Sequence, residues 1–101
     1  MTAHTPGALE GVQVVEFGRG VAVAYCGALL AACGADVVKI EPREVGDAVR
    51  RLPPFSDSAT APESSGMHAF LNANKRSITL DLDAPGDCDA ARQLAARATV
   101  V

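Results

Sequence analysis

Residues 9–41 read LEGVQVVEFGRGVAVAYCGALLAACGADVVKIE, and this stretch limits the fold more than any other part of the chain. An apolar run (Val12, Val14, Val15, Phe17) meets the turn Gly18-Arg19-Gly20. Small and apolar residues fill the segment from Val21 to Cys33, and Gly34 separates it from a second β-branched run, Asp36 to Glu41. The pattern predicts strand, glycine turn, helix, left-handed glycine cap, strand: a βαβ unit with parallel strands and a right-handed crossover. The largely apolar first strand predicts cover on both faces of the sheet. Ala22, Ala24, Gly27, Ala28, Ala31 and Ala32 predict a helix that lies very close to its neighbour. Cys26 and Cys33, seven apart in that helix, read as small buried residues, with a reactive thiol as the alternative.

The rest of the chain continues the same alternation. Pro42 is expected to end the second strand. The stretch from Arg43 to about Ser65, with Gly46, Pro53, Pro54 and Pro62, has no periodicity. It reads either as a loop beside a ligand site or as an insertion. Residues 67–72 (MHAFLN) predict a helical turn, residues 72–76 (NANKR) a polar turn, and residues 77–82 (SITLDL) a third strand. Asp83 is the expected helix N-cap, with Pro85 in the first turn and Ala90, Ala91, Leu94 and Ala95 as the apolar face of the helix. Residues 99–101 (TVV) predict the opening of a fourth strand, and with it either a fragment of a larger domain or a chain whose partner segment lies elsewhere; the resemblance described below implies the first, with residues 1–101 as the N-terminal part of a large Rossmann-like domain.

Composition excludes several functions. A net charge of −3 argues against a duplex nucleic-acid surface, which needs a basic excess. Residues 1–11 lack the basic and apolar regions of a secretion signal, and the longest apolar run is too short for a bilayer, so a reducing cytoplasm and no membrane contact are expected. The three cysteines have no metal spacing, and no metal is expected. No Ser/His/Asp set, CxxC pair or HExxH occurs.

The glycine turn, with Glu41 closing the second strand, suggests a dinucleotide loop, but Val23 stands where a third small residue belongs. A more general ligand anion at the start of the helix stays open. Lys75 and Arg76 read either as a solvated basic turn or as phosphate contacts, and Arg50 and Arg51 invite the same two readings. Asp81 reads as a turn cap or a ribose ligand. His68 reads as structural.

Three blocks together resemble one family. They are Leu9 to Phe17 (LEGVQVVEF); Gly34 to Pro42 (GADVVKIEP) with Gly46-Asp47-Ala48-Val49-Arg50 after it; and Leu71 to Leu82 (LNANKRSITLDL). In order and spacing they are similar to the N-terminal region of the family III CoA-transferases, a group that also contains the α-methylacyl-CoA racemases. The resemblance implies an α/β fold with a Rossmann-like parallel sheet, coenzyme A as ligand, an acyl-CoA and a carboxylate acceptor as substrates, and an interlocked homodimer. It implies transfer through an acylated Asp in a segment beyond Val101, so no catalytic residue is expected here. By the same resemblance Val21 and Ala22 lie near the thioester end of CoA. Arg43 is implied as a phosphate contact, beside Lys75 from the reading of its turn above, and Leu80, Asp81, Leu82 and Asp83 as contacts to the adenosine portion. The chain departs from the family at Val21, where some members have Gln, and at Val23-Ala24, where Gly-Pro is usual. It departs again at Asp83, often Lys, and at Pro42, where certain members place the Arg that is found here one residue later.

Overall fold

A computed structural model describes residues 7–57 and 63–101. Its elements are β1 (Gln13–Glu16), α1 (Val21–Ala32), β2 (Asp36–Pro42), a 3-10 turn (Ala48–Arg51), α2 (Gly66–Leu71), β3 (Arg76–Leu80) and α3 (Pro85–Arg97). The sheet has the order β1-β2-β3, and both pairings are parallel. Val100 forms a single parallel bridge to Val14. Because β2 already occupies one edge of β1, this bridge lies on the other edge. The chain therefore turns back beside β1, as in doubly wound sheets.

Two hydrophobic layers sandwich the sheet, as the continuous apolar run of β1 predicts. Val14 and Val37 face α1 and pack with Ala31 and Ala35. Val15 and Ile40 point the other way and pack on Ala91 of α3, with Phe17, Leu80 and Leu94 around them. α1 ends as its glycine predicts. Gly34 takes φ +102, its N–H donates to Ala31 O, and Ala35 N–H donates to Leu30 O. This is the paired closure of a Schellman cap, which satisfies carbonyls that would otherwise be left without partners.

Several expectations change. Cys26 and Cys33 are exposed, not buried, and Cys88 is half-buried. α1 turns Ala24, Gly27 and Ala31 inward, which leaves the cysteines on other faces of the helix. Val21, Tyr25 and Leu29, spaced four apart, form an apolar stripe that is about half exposed. Pro42 is the last residue of β2, paired with Leu80, since a strand end tolerates the missing donor. β3 begins at Arg76 and closes at Leu80, so Asp81 and Leu82 lie beyond it. The cap of α3 is Ala84, not Asp83. Asp83 instead donates its N–H to Asp81 Oδ1 in a local turn. The stretch after β2 is packed where it is described: Asp47, Val49 and Ser65 are buried, and Val49 joins Ala24 and Leu71 in a third cluster between α1, the 3-10 turn and α2. Residues 58–62 of that stretch lie outside the described residues.

Candidate functional site

On the α1 face of the sheet the apolar layer stops halfway along the strands. Alternation puts Glu16 on the face of Val14, and Lys39 and Glu41 on the face of Val37. All three are buried, at 5%, 1% and 2% exposure. Lys39 Nζ donates to Glu16 Oε2 at 2.8 Å and to Asp47 Oδ2 at 2.7 Å. Lys75 Nζ donates to Glu16 Oε1, Ala24 O and Asn72 Oδ1, each at 2.8 Å. Arg50 grips Glu41 with both Nε and Nη2 at 2.8 Å. Glu41 also accepts from Ser77 Oγ at 3.1 Å and from Asp47 N–H at 2.9 Å. Glu16, Glu41 and Asp47 thus face Lys39, Lys75 and Arg50, so the buried charges balance, as a low-dielectric interior requires.

The same groups fix the glycine turn. Asp47 Oδ1 accepts the N–H of Gly20 at 3.1 Å and of Val49 at 3.0 Å. Gly20 caps α1 with φ +93, a left-handed value that L side chains adopt only with strain. The loop after β2 therefore holds the turn before α1 through one carboxylate.

Local surroundings explain the titration of these groups. Burial works against the Lys39 ammonium, but the Asp47 and Glu16 carboxylates outweigh it and its pKa rises. Lys75 has one carboxylate and otherwise neutral oxygens, so burial prevails and its pKa falls. Burial likewise opposes the Asp47 carboxylate, and Lys39 overcomes it to lower the pKa. The Arg50 guanidinium holds the Glu41 carboxyl at about 2, well below its ordinary 4.5. Burial lowers the pKa of His68, whose Nε2 is buried without a hydrogen bond, 3.8 Å from Glu41 Oε1.

A stability profile follows from these signs. The Glu41 contribution is complete above pH 4.5 and is lost as pH falls towards 2, about 3 kcal/mol in all. The smaller His68 contribution is complete above 6.5 and is lost as pH falls below it, because the unfolded chain takes up the proton more readily. Relative to its value at pH 7, the urea midpoint is expected to slip below pH 6.5 and to fall steeply below 4.5. A midpoint as high at pH 3 as at pH 7 would contradict the assignment.

Parallel strands all end on one side, so the exits of β1, β2 and β3 share an edge. Val21 and Ala22 open α1 at the β1 exit, both exposed. Arg43 follows β2, and its N–H donates to Leu80 O at 3.3 Å. Asp81 lies next to it: Asp87 Oδ2 accepts from Asp81 N–H at 2.8 Å and from Arg43 Nη2 at 2.6 Å. Leu82 and Asp83 line a shallow cavity of about 280 Å³ with Pro85 and Arg92. An apolar cleft of about 310 Å³ runs beside the glycine turn, lined by Phe17, Gly18, Val23, Cys26, Leu30 and Val100.

The fold thus brings Arg43, Leu80, Asp81, Leu82 and Asp83 together at the exits of β2 and β3. Val21 and Ala22 stand apart from this group, at the start of α1 beyond the β1 exit. Lys75 is not part of this edge. It precedes β3 and its side chain is 1% exposed, enclosed by Glu16, Ala24 and Asn72. Glu41, the acid of the dinucleotide reading, is likewise buried, its side chain 2% exposed and paired with Arg50. Arg76 pairs with Asp36 at the opposite end of the strands. Asp87 carries no signal in the sequence beyond its place in the first turn of a helix. The buried network does carry one: charged residues at period two inside β-branched runs. Among the described residues no group of His, Cys, Asp or Glu could hold a metal ion.

Glu16, Lys39, Glu41, Asp47, Arg50, Lys75 and Ser77 all fall within the three sequence blocks singled out above. A model of "CoA-transferase family III" matches residues 9–101. The chain belongs to this family. The succinate–glutarate CoA-transferase of Agrobacterium fabrum is 41% identical over 95 residues, covering 92% of this chain and 24% of its own. The succinyl-CoA:mesaconate CoA-transferase of Haloarcula hispanica is also 41% identical over 95 residues, covering 94% and 24%. A crystal structure of a CaiB/BaiF family protein from Brucella suis superposes with a TM-score of 0.83 at 37% identity, over 95% of this chain and 25% of that one. The chain spans about a quarter of the length of the relatives it matches. The mixed α/β fold with a parallel sheet agrees with the N-terminal part of the family III fold. Among the described residues no helix is long and apolar enough to cross a membrane.

Proposed function

We propose that this chain is the CoA-binding N-terminal segment of a cytoplasmic acyl-CoA:carboxylate CoA-transferase, part of the large Rossmann-like domain of that enzyme. The observation that carries the reading is the family match over residues 9–101, together with a sheet edge where Arg43 and Asp81 meet between strand exits. Such an edge is where open α/β sheets bind nucleotide-bearing ligands. In this reading Leu80 to Asp83 take the adenosine portion, with Asp81 as an acceptor for ribose hydroxyls and Arg43 on a phosphate. The uncharged arm of CoA runs along the apolar cleft towards Val21 and Ala22. Lys75 acts from behind, holding Glu16 and the carbonyl of Ala24 rather than the ligand.

The chemistry belongs to an Asp outside these 101 residues. Its carboxylate attacks the acyl-CoA thioester, the C–S bond breaks, and CoA leaves as thiolate, so that the acyl group is left on the Asp as a mixed anhydride. The thiolate then attacks the aspartyl carbonyl, releases the donor carboxylate and leaves an enzyme–CoA thioester for the acceptor. The part assigned to this chain is to hold the leaving thiolate close by. Transfer is preferred to racemisation because the two relatives compared above carry transferase names, and both act on dicarboxylic acyl groups by those names. The exposed stripe Val21, Tyr25 and Leu29 supports a partner surface on α1, supplied by an interlocked second copy or by the rest of the same enzyme.

Two measurements test this. Calorimetry of the natural full-length protein should show CoA binding and no NAD binding; NAD binding without CoA binding would overturn the reading. Intact-mass spectrometry after mixing with succinyl-CoA should show an acyl or CoA adduct on an Asp. The isolated 101 residues are expected to bind CoA weakly at most, because among the described residues the sheet edge beside β1 carries only the Val100 bridge.

A further inference from the structure

The contact between Arg43 and Asp87 joins residues 44 positions apart, and the packing of the sheet does not require it. Asp87 is the third residue of α3, a position where an acid ordinarily serves the free N–H groups and dipole of its own helix. Here its side chain reaches backwards. One oxygen, Oδ2, accepts from the Asp81 N–H beyond β3 and from the Arg43 guanidinium beyond β2. A single atom therefore ties together the exits of two strands and the start of a helix.

The rest of the guanidinium remains available. Arg43 uses one of its five N–H donors on Asp87, its side chain makes no other hydrogen bond or ion pair among the described residues, and it is 57% exposed. The surroundings are acidic, with Asp81, Asp83 and Asp89 nearby in sequence and Arg92 taken up by Asp89 at 3.5 Å. An untethered Arg43 would distribute itself among these carboxylates and solvent. Tethered by one corner, it presents its remaining fork in a fixed place, and a fork of that shape suits two oxygens of one phosphate.

We propose that Asp87 is a positioning residue for ligand phosphate, which holds the Arg43 fork over the exits of β2 and β3 before the ligand arrives. The inference rests on the CoA reading above and adds to it the residue that aims the cation. Asp87 does not touch the ligand. It removes an ordering cost that binding would otherwise carry, at the expense of some positive potential.

A double-mutant cycle on the natural full-length protein tests this, with the CoA dissociation constant and the thermal midpoint as readouts. Asp87→Asn keeps an acceptor for the Asp81 N–H and removes the charge that holds Arg43. It is expected to weaken CoA binding roughly two- to tenfold, the range for ordering one long side chain on binding. Arg43→Ala is expected to weaken binding more. In the Arg43→Ala background, Asp87→Asn should change the dissociation constant no further, since the two residues act as one unit. The proposal fails if Asp87→Asn tightens CoA binding, which would make its charge a competitor of the phosphate. It also fails if Asp87→Asn weakens binding equally in both backgrounds with a lowered midpoint, which would make its role structural. It fails again if Asp87→Asn leaves binding unchanged, while CoA binding by the unsubstituted protein keeps the broader reading intact. No CoA binding by the unsubstituted protein overturns both.

Discussion

Replacing Lys39 with Met is expected to destabilise the fold by about 3–5 kcal/mol, the range for removing one partner of a buried ion cluster. Lys39 is 1% exposed and stands between Glu16 and Asp47, at 2.8 and 2.7 Å. Met fills a similar volume, so the loss is electrostatic and not a cavity. Glu16 keeps Lys75, and Asp47 keeps two backbone N–H donors, but one negative charge then lacks compensation in a buried layer. A domain has roughly 5–15 kcal/mol in total, so the variant gives up much of its stability. Urea unfolding at neutral pH, followed by far-UV circular dichroism, measures the effect. The deficit should shrink in acid as the stranded carboxylates take up protons. Arg76→Ala is the contrast. Its pair with Asp36 is equally short at 2.7 Å but lies in solvent, and its loss should stay below about 1 kcal/mol. A Lys39→Met variant as stable as Arg76→Ala would show that the buried network does not hold the sheet together.

Gly27→Ala is expected to destabilise by about 1–3 kcal/mol, although alanine is the better helix former by roughly 1 kcal/mol. A Cβ at Gly27 would collide with Glu16 Oε1 and come within 3.0 Å of Lys75 Nζ and 3.1 Å of its Cε. Those atoms are held by the hydrogen bond between Glu16 and Lys75 and cannot give way without breaking it. The collision therefore outweighs the helix propensity. Gly86, in the first turn of α3, has nothing within 4 Å of a built Cβ. Gly86→Ala is expected to stabilise by about 0.5–1 kcal/mol, so the two glycine substitutions should have opposite signs. Thermal midpoints of the two variants decide it, and equal signs would remove the steric argument.

The small residues of α1 show how far a sequence can be read. That the helix lies close to its neighbour follows from Ala24, Gly27 and Ala31, and the structure has those three inward. What it lies close to does not follow. The neighbour at Gly27 is an ion pair made of Glu16 and Lys75, which are 59 residues apart, and no local pattern links them. The cysteines illustrate the reverse. Composition favours burial for Cys26 and Cys33, and both are exposed, because a helix apolar on all sides carries no moment by which to choose its inner face.

The edge residues divide in the same way. Arg43, Leu80 and Asp81 belong together because parallel strands end together, and that much follows from the βαβ pattern. Lys75 stands beside Arg76 in sequence, yet one is buried under α1 and the other pairs with Asp36 in solvent. Neighbours in a turn that enters a strand point to opposite faces, and only the sheet's cover decides which face is dry.

By itself, then, the sequence of this CoA-transferase family member determined the order of elements, the parallel sheet and the glycine closure of α1. Each of these depends on local periodicity and on backbone angles that a few residue types favour. Tertiary structure alone decided that Glu16, Lys39, Glu41, Asp47, Arg50 and Lys75, out of all the charged residues of the family blocks, form one balanced inner layer. It also decided that Asp47 holds the turn before α1 and that Asp87 holds Arg43. Charges in a sequence acquire partners only when the chain has closed, and in a dry layer the partner, not the residue type, sets what each charge does.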